Sequence, residues 1–95
     1  MSGEKSQERR IVYYSGRVQG VGFRYTVREL AARFPVVGYV KNLPDGRVEL
    51  VVEGEATGID ELCKAIRSHM GRHILGESEQ VSSPLGSFDH FEVRF

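Results

Sequence analysis

The chain has 95 residues, of which 40% are hydrophobic and 27% charged, and this composition predicts one soluble globular domain rather than a disordered chain. Thirteen basic side chains balance thirteen acidic ones, which argues against a general nucleic-acid or membrane-surface binder. The charges are unevenly distributed, however: residues 1–47 carry nine basic and four acidic side chains, whereas residues 48–95 carry four and nine. The first half is therefore the better candidate for an anion site.

The N-terminal residues are polar and lack the apolar stretch that a signal peptide requires. Residues 1–9 are predicted to be a flexible tail. A single cysteine, Cys63, excludes an internal disulfide framework and a zinc-finger pattern, and no apolar run approaches the roughly 18 residues of a membrane span. We therefore expect a cytoplasmic protein, with a monomer as the default for this size.

The first half of the chain predicts two strands separated by a helix. Residues 11–14 are β-branched and aromatic, as is typical of a strand. After a glycine-rich stretch, apolar residues recur with helical spacing, and Pro35 is predicted to end the helix. Residues 36–41 predict the second strand. The apolar face of the helix consists of Phe23, Val27, Leu30, Ala31 and Phe34.

The second half predicts two more strands, a helix and a final strand. The turn at residues 43–46, Leu-Pro-Asp-Gly, connects the second strand to an alternating third strand at residues 48–53 as a hairpin. A second helix ends at Gly71. A weaker strand is predicted over residues 74–81, and residues 91–95 alternate as the last strand. The apolar face of the second helix consists of Ile59, Leu62, Cys63, Ile66 and Met70.

The predicted order of elements is β-α-β-β-α-β with an additional C-terminal strand. Two helices on one face of a mostly antiparallel sheet make a two-layer α/β (α+β) sandwich, ferredoxin-like in topology. This topology serves enzymes, metal chaperones and RNA-binding modules, so the fold alone does not determine the function.

The glycine-rich stretch between the first strand and the first helix is the strongest functional signal. Residues 16–24 read Gly-Arg-Val-Gln-Gly-Val-Gly-Phe-Arg. Glycines let the backbone approach a ligand, and the helix N-terminus offers free N–H groups to an anion such as phosphate. Arg24, which we expect to be exposed, can grip two phosphate oxygens. The Walker A phosphate motif is excluded because it requires lysine after its last glycine, whereas Phe23 follows Gly22. The dinucleotide-binding motif is excluded because it requires a third glycine at position 25, which is Tyr25. The alternative is a glycine turn needed only for packing.

The second informative position is Asn42, at the end of the second strand. In a parallel βαβ unit this end faces the same edge of the sheet as the glycine-rich loop. Asn42 could there orient a water molecule or a substrate oxygen. The alternative is that Asn42 caps the hairpin through its own backbone.

Two segments, residues 16–24 and residues 38–49, together resemble the two signatures of the acylphosphatase family. The second reads Gly-Tyr-Val-Lys-Asn-Leu-Pro-Asp-Gly-Arg-Val-Glu. The resemblance covers about residues 10–95, which we take as one acylphosphatase-like domain, and it implies the ferredoxin-like fold. Tyr39 stands where many members carry Trp, and residues 69–89 match the family poorly.

The resemblance implies hydrolysis of the carboxyl–phosphate bond of small acyl phosphates to carboxylate and inorganic phosphate. Arg24 and the loop amides would bind the phosphoryl group, and Asn42 would orient the attacking water. No cofactor, metal, nucleic acid or membrane partner is implied. The alternative is a non-catalytic phosphate-binding regulatory module of the same fold. The implied phosphate-binding loop consists of Gln19, Gly20, Val21, Gly22, Phe23 and Arg24.

The histidines and the cysteine are interpreted as structural or surface residues. His69 and His73 are spaced for one helical face, but no third metal ligand accompanies them. His90 alternates with apolar residues and is predicted to face away from the core. Cys63 lies on the apolar face of the second helix and is predicted to fill the core rather than act as a nucleophile.

The remaining charged side chains near the motifs are open to two interpretations. Arg17 and Lys41 flank the predicted site, where they either attract anionic substrates or are simply solvated. Glu49, Glu53 and Glu55 are predicted to lie on a solvated strand face and turn. Carboxylates on the sheet also disfavour a third alternative, an RNA-binding module that would use exposed aromatic side chains.

Overall fold

A computed structural model describes residues 6–95. Its elements follow the predicted β-α-β-β-α-β order with an additional C-terminal strand, which confirms the ferredoxin-like two-layer fold. Within these residues, no helix is long and apolar enough to cross a membrane. The elements are β1 (Gln7–Gly16), α1 (Phe23–Ala31), β2 (Val36–Asn42), β3 (Val48–Glu55), α2 (Ala56–Met70) with a 3₁₀ turn at Gly71–His73, β4 (Ile74–Ser82) and β5 (Phe91–Arg94).

The five strands form one sheet in the order β4-β1-β3-β2-β5. β1 pairs antiparallel with β3 and β4, and β2 pairs antiparallel with β3, whereas β5 runs parallel to β2. The prediction of a mostly antiparallel sheet is therefore confirmed. Since β1 and β2 both run opposite to β3, their carboxyl ends reach the same edge of the sheet. The loop that follows β1 and the turn that follows β2 meet at this edge.

The core lies between the sheet and the two helices. The predicted apolar face of α2, including Cys63, is buried, as are Phe23, Val27, Leu30 and Ala31 of α1. The ring of Tyr14 lies 5.2 Å from the ring of Phe23, so core packing joins the end of β1 to the first turn of α1. The residues that the strands contribute to this core are Val12, Tyr14, Val36, Val40, Val48, Leu50 and Val52.

The first strand begins earlier than the sequence suggests. Of the tail predicted over residues 1–9, residues 1–5 lie outside the described residues, whereas residues 7–9 belong to β1 and pair with the end of β3. Arg9 donates a hydrogen bond to the Oε2 atom of Glu53 at 2.8 Å. A polar segment thus forms a strand here because the neighbouring strand supplies opposite charge.

Helix α1 ends earlier than predicted, at Ala31. The backbone N–H groups of Arg33 and Phe34 donate to the carbonyl groups of Leu30 and Ala31, so the last turn tightens. Pro35 causes this because it disfavours the helical conformation at the residue before it. Phe34 therefore lies beyond the helix, although its side chain still packs against the core.

The prediction of a solvated carboxylate at Glu53 is wrong. Its side chain is buried, and its two oxygens accept hydrogen bonds from Arg9 and from the backbone N–H groups of Leu85 and Gly86, the last two at 2.9 and 3.1 Å. The loop between β4 and β5 crosses the outer face of the sheet at this point. Burial opposes ionisation, but these donors outweigh it and lower the pKa of Glu53 below its ordinary value.

The aromatic side chains on the outer face also contact charged neighbours. Tyr13 and Tyr39 donate hydrogen bonds to the two oxygens of Glu49 at 3.1 and 2.9 Å. The guanidinium carbons of Arg47 and Arg94 lie 4.6 and 4.2 Å from the centres of these two rings. Burial and the bond to Glu49 raise the pKa of Tyr39 to about 12. Rings engaged in this way are not a free stacking platform of the kind that RNA recognition uses.

Candidate active site

The loop between β1 and α1 combines unusual backbone angles with unpaired N–H groups. Gly20 and Gly22 have φ angles of +79° and +78°, in the left-handed region that favours glycine. Gly22 is the N-cap of α1. No side chain in the described part of the chain caps this helix end, and the first turn contains no acidic residue. Among residues 6–95, no backbone acceptor pairs with the N–H groups of residues 18–22. Such a loop at a helix N-terminus is suited to an anion.

Arg24 lies in the first turn of α1 and is half-buried, which corrects the expectation that it is exposed. Its Nη1 atom donates to the carbonyl oxygen of Arg94 at 2.9 Å, and its guanidinium carbon lies 4.6 Å from the centre of the Phe95 ring. Within the described part of the chain, no ion pair involves Arg24. The positive charge is thus held in place without being neutralised.

Asn42 is the last residue of β2, and its Oδ1 atom is buried with no hydrogen-bond partner among residues 6–95. The following turn is closed by other groups: Leu43 N–H donates to the Arg47 carbonyl at 2.8 Å, and Arg47 N–H donates to the side chain of Asp45 at 3.1 Å. The alternative that Asn42 caps the hairpin is therefore wrong. A buried polar atom left unpaired costs about 1–3 kcal/mol, so the oxygen is available to an incoming donor.

Gln19 connects the two segments that carry the site. Its Nε2 atom donates to the carbonyl oxygens of Leu43 and Arg47, both at 2.9 Å. The glycine-rich loop is thereby fixed to the turn that follows Asn42. The side chain of Gln19 acts as a clamp between the loop and this turn, a role that its place in the loop motif did not reveal.

Arg24, Asn42 and the two glycines line one cavity of about 150 Å³, together with Val18, Phe23 and Tyr25. The structure therefore brings together the two predicted catalytic residues and most of the predicted loop. Among residues 6–95, no carboxylate, imidazole or thiol lines the cavity. Within residues 6–95, no group of three or more His, Cys, Asp or Glu residues is arranged to hold a metal ion. The cavity can thus supply positive charge, N–H donors and positioning rather than acid–base chemistry.

A larger open groove of about 510 Å³ lies along α1, the start of β2 and the residues before β5. Its lining includes Arg28, Glu29, Phe34 and His90. It contains none of the residues predicted for the site. The smaller cavity is the candidate site, because the glycine-rich loop, Arg24 and the amide oxygen of Asn42 converge there.

The other polar residues considered from the sequence lie away from the cavity. His69 is exposed and contacts a carbonyl oxygen of its own helix at 2.9 Å, whereas His73 lies in the 3₁₀ turn. Cys63 is buried, as predicted, and burial raises the pKa of its thiol, so it is not an activated nucleophile. Arg17 and Lys41 do not line the cavity.

Sequence reasoning missed three residues at the site: Tyr25, Arg94 and Phe95. Tyr25 follows Arg24 directly, so its position on the first turn of α1 was a usable signal. The contacts of Arg94 and Phe95 with Arg24 join positions about 70 residues apart, and no local pattern predicts them.

Comparisons with known proteins point to one family. A family model described as Acylphosphatase matches residues 10–93. A protein of Rubrobacter xylanophilus named Acylphosphatase is 56% identical over 97 positions, covering 99% of this chain and 86% of its own length. One of Archaeoglobus fulgidus with the same name is 39% identical over 84 positions, covering 88% and 94%. The crystal structure of acylphosphatase from Bacillus subtilis matches with a TM-score of 0.81 and 32% identity, covering 95% of this chain and 100% of that one.

Proposed function

We propose, from the premise that the chain belongs to the acylphosphatase family, that Arg24, the loop amides and Asn42 perform its reaction. The activity of the family, and of this chain, is the hydrolysis of acyl phosphates. The substrate is an acyl phosphate and one product is inorganic phosphate. Water attacks phosphorus, the bond between phosphorus and the carboxyl oxygen breaks, and a carboxylate leaves. The observation that supports these roles is the meeting of unpaired donors and an unpaired amide oxygen in one small cavity.

Arg24 and the N–H groups of the loop bind the phosphoryl oxygens in this proposal. Arg24 fits the role because it carries an un-neutralised charge that Arg94 and Phe95 hold in position. A guanidinium group can contact two phosphate oxygens at once. The unpaired loop amides at the start of α1 add further donors at the positive end of the helix dipole. Together they stabilise negative charge on the equatorial oxygens as the bond to phosphorus loosens.

Asn42 positions the attacking water through its unpaired amide oxygen. Phosphoryl transfer proceeds through a loose transition state, in which placement of the nucleophile contributes much of the catalysis. The leaving group is a carboxylate, which needs little protonation. A cavity lining that holds no carboxylate, imidazole or thiol among residues 6–95 is therefore chemically sufficient. The water proton passes to a substrate oxygen or to solvent as the new bond to phosphorus forms.

We also propose that the enzyme acts as a monomer in the cytoplasm and without a nucleic-acid partner. The support for a monomer is that the predicted apolar faces of both helices pack against the sheet of the same chain. The mass distribution on size-exclusion chromatography with light scattering tests this, and a stable dimer would contradict it.

The proposed function is tested by phosphate release from benzoyl phosphate, measured with excess EDTA and with p-nitrophenyl phosphate as a control substrate. We expect turnover of the acyl phosphate that EDTA does not change, and little turnover of the phosphate ester, whose leaving group is less stable. Binding of inorganic phosphate without any turnover would instead identify the non-catalytic module.

A further inference from the structure

We infer that the ring of Tyr25 binds the acyl group of the substrate, so that the acyl subsite accepts apolar or aromatic acyl groups. This inference rests on the proposed function, since it takes Arg24 and the loop amides to hold the phosphoryl group. Those contacts fix one end of the substrate. The acyl end then extends away from them and contacts whatever apolar surface borders the cavity.

Tyr25 is the residue of the cavity lining whose side chain offers such a surface. Val18 and Phe23 also line the cavity, but they are 0% and 1% exposed because their side chains belong to the core. The two glycines have no side chain, and the side chains of Arg24 and Asn42 already have polar roles. Tyr25, in contrast, is 48% exposed. It therefore combines contact with the cavity and a ring that a ligand can reach.

The size of the cavity places the acyl group at its rim. A volume of about 150 Å³ is well below the roughly 300–1,000 Å³ of pockets that enclose a whole drug-sized ligand. The phosphoryl group and the adjoining carbonyl occupy the interior, and a benzoyl-sized group projects outward. Tyr25 lines the cavity from the first turn of α1 and is exposed, so a group that projects outward past this turn can meet its ring.

The ring of Tyr25 is also supported from one side. The guanidinium carbon of Arg28, three residues further along α1, lies 5.4 Å from its centre. Within residues 6–95, no ion pair draws Arg28 away from this contact. A ring held in this way loses less conformational freedom when a ligand packs against it. Aromatic contacts of this kind strengthen binding about twofold to tenfold beyond the effect of buried area.

The test compares two substrates that share the phosphoryl group and differ in the acyl group: benzoyl phosphate and acetyl phosphate. The variants are Tyr25→Ala, which removes the ring, and Tyr25→Phe, which retains it. Leu75→Ala is the matched control, because Leu75 is an exposed apolar residue on β4 that does not line the cavity. The inhibition constant of inorganic phosphate reports on the phosphoryl site separately.

We expect Tyr25→Ala to raise the KM for benzoyl phosphate about threefold to tenfold with a nearly unchanged kcat, since it removes uniform binding. The KM for acetyl phosphate and the inhibition by phosphate should stay within about twofold, and Tyr25→Phe should behave like the unaltered enzyme. Equal changes for both substrates, or no change for benzoyl phosphate, would overturn the inference while leaving the proposed function intact. If the unaltered protein hydrolysed neither substrate, the proposed function itself would fail.

Discussion

Two regions of the same sheet differ in whether their buried polar groups are hydrogen-bonded. At the edge that carries the cavity, the amide oxygen of Asn42 is buried without a partner, and the N–H groups of the glycine-rich loop have no backbone acceptor among the described residues. On the outer face, the two oxygens of Glu53 accept three hydrogen bonds, and Glu49 binds two tyrosine hydroxyl groups. The two regions therefore differ in hydrogen bonding although they share a sheet.

This difference indicates what each region contributes. Unpaired buried polar groups reduce the stability of the folded chain, whereas satisfied buried carboxylates are costly to disrupt. We therefore expect substitutions at the cavity edge to change activity with little effect on folding. Substitutions on the outer face should lower stability and leave the chemistry unchanged. Substitutions in each region test this separation.

The largest effect is expected for Arg24→Ala, at the cavity edge. It should lower kcat/KM for benzoyl phosphate about 10³-fold or more, because the charge on the transferring phosphoryl group loses its arginine. The free energy of unfolding should change by no more than about 1 kcal/mol, since the variant loses one exposed hydrogen bond and the contact with the Phe95 ring but no ion pair. Arg33→Ala removes an exposed arginine just beyond α1 and is the matched control. A folded Arg24→Ala protein with unchanged activity would contradict the assignment of this site.

Asn42→Ala should give the next largest effect on activity. We expect kcat to fall about 100-fold because the attacking water is no longer positioned, while inhibition by inorganic phosphate stays within about twofold. Stability should be unchanged or slightly higher, since the substitution removes a buried acceptor that has no partner. Steady-state kinetics and urea unfolding check both parts. A collapse of phosphate binding would show that Asn42 holds the phosphate rather than the water.

Glu53→Gln should show the reverse pattern. Replacing the carboxylate leaves Arg9 without its ion pair and weakens the attachment of the loop through Leu85 and Gly86, so we expect a loss of about 2 kcal/mol in the free energy of unfolding. The kcat should be unchanged because Glu53 does not line the cavity. Glu61→Gln, at an exposed position on α2, is the control. A large loss of kcat in the folded variant would show that the two regions are coupled.

Much of the fold could be predicted because it depends on local periodicity. The helical spacing from Phe23 to Leu30 and the alternation in β3 are visible in the sequence, and the buried face of α2 matches its predicted face. The glycine spacing likewise located the loop, and the direction of β2 placed Asn42 at the same edge. In these cases each residue's environment follows from its near neighbours along the chain.

The errors have a different physical origin. Glu53 alternates with apolar residues like any solvated strand residue, but the loop carrying Leu85 and Gly86 crosses over it from a distant part of the chain. Arg24 is half-buried because Arg94 and Phe95 arrive on β5 and beyond it. Long-range contacts decided both cases, and no pattern within a local window reports them.

Gln19→Ala should affect both stability and activity, because the side chain of Gln19 fixes the glycine-rich loop to the turn that follows Asn42. We expect a loss of about 1–2 kcal/mol in stability from its two hydrogen bonds, together with a roughly tenfold lower kcat as the loop and the turn after Asn42 shift apart. Activity and urea unfolding measured on the same preparation check this. A loss of stability with full activity would mean that the loop keeps its place without the clamp.

The smallest expected effect is a loss of folding stability at acid pH that arises from Glu53 on the outer face. The pKa of Glu53 is lowered by its donors from an ordinary value of 4.5, so its ionised form stabilises the fold above that value. This contribution disappears as the pH falls through the lowered pKa. The unaltered protein should therefore lose more stability than Glu53→Gln between about pH 5 and about pH 3. Other carboxylates with lowered pKa values, such as Asp45 and Glu92, are present in both proteins and cancel in the difference. Parallel curves of unfolding free energy against pH would show that Glu53 is not the group whose protonation weakens the outer face.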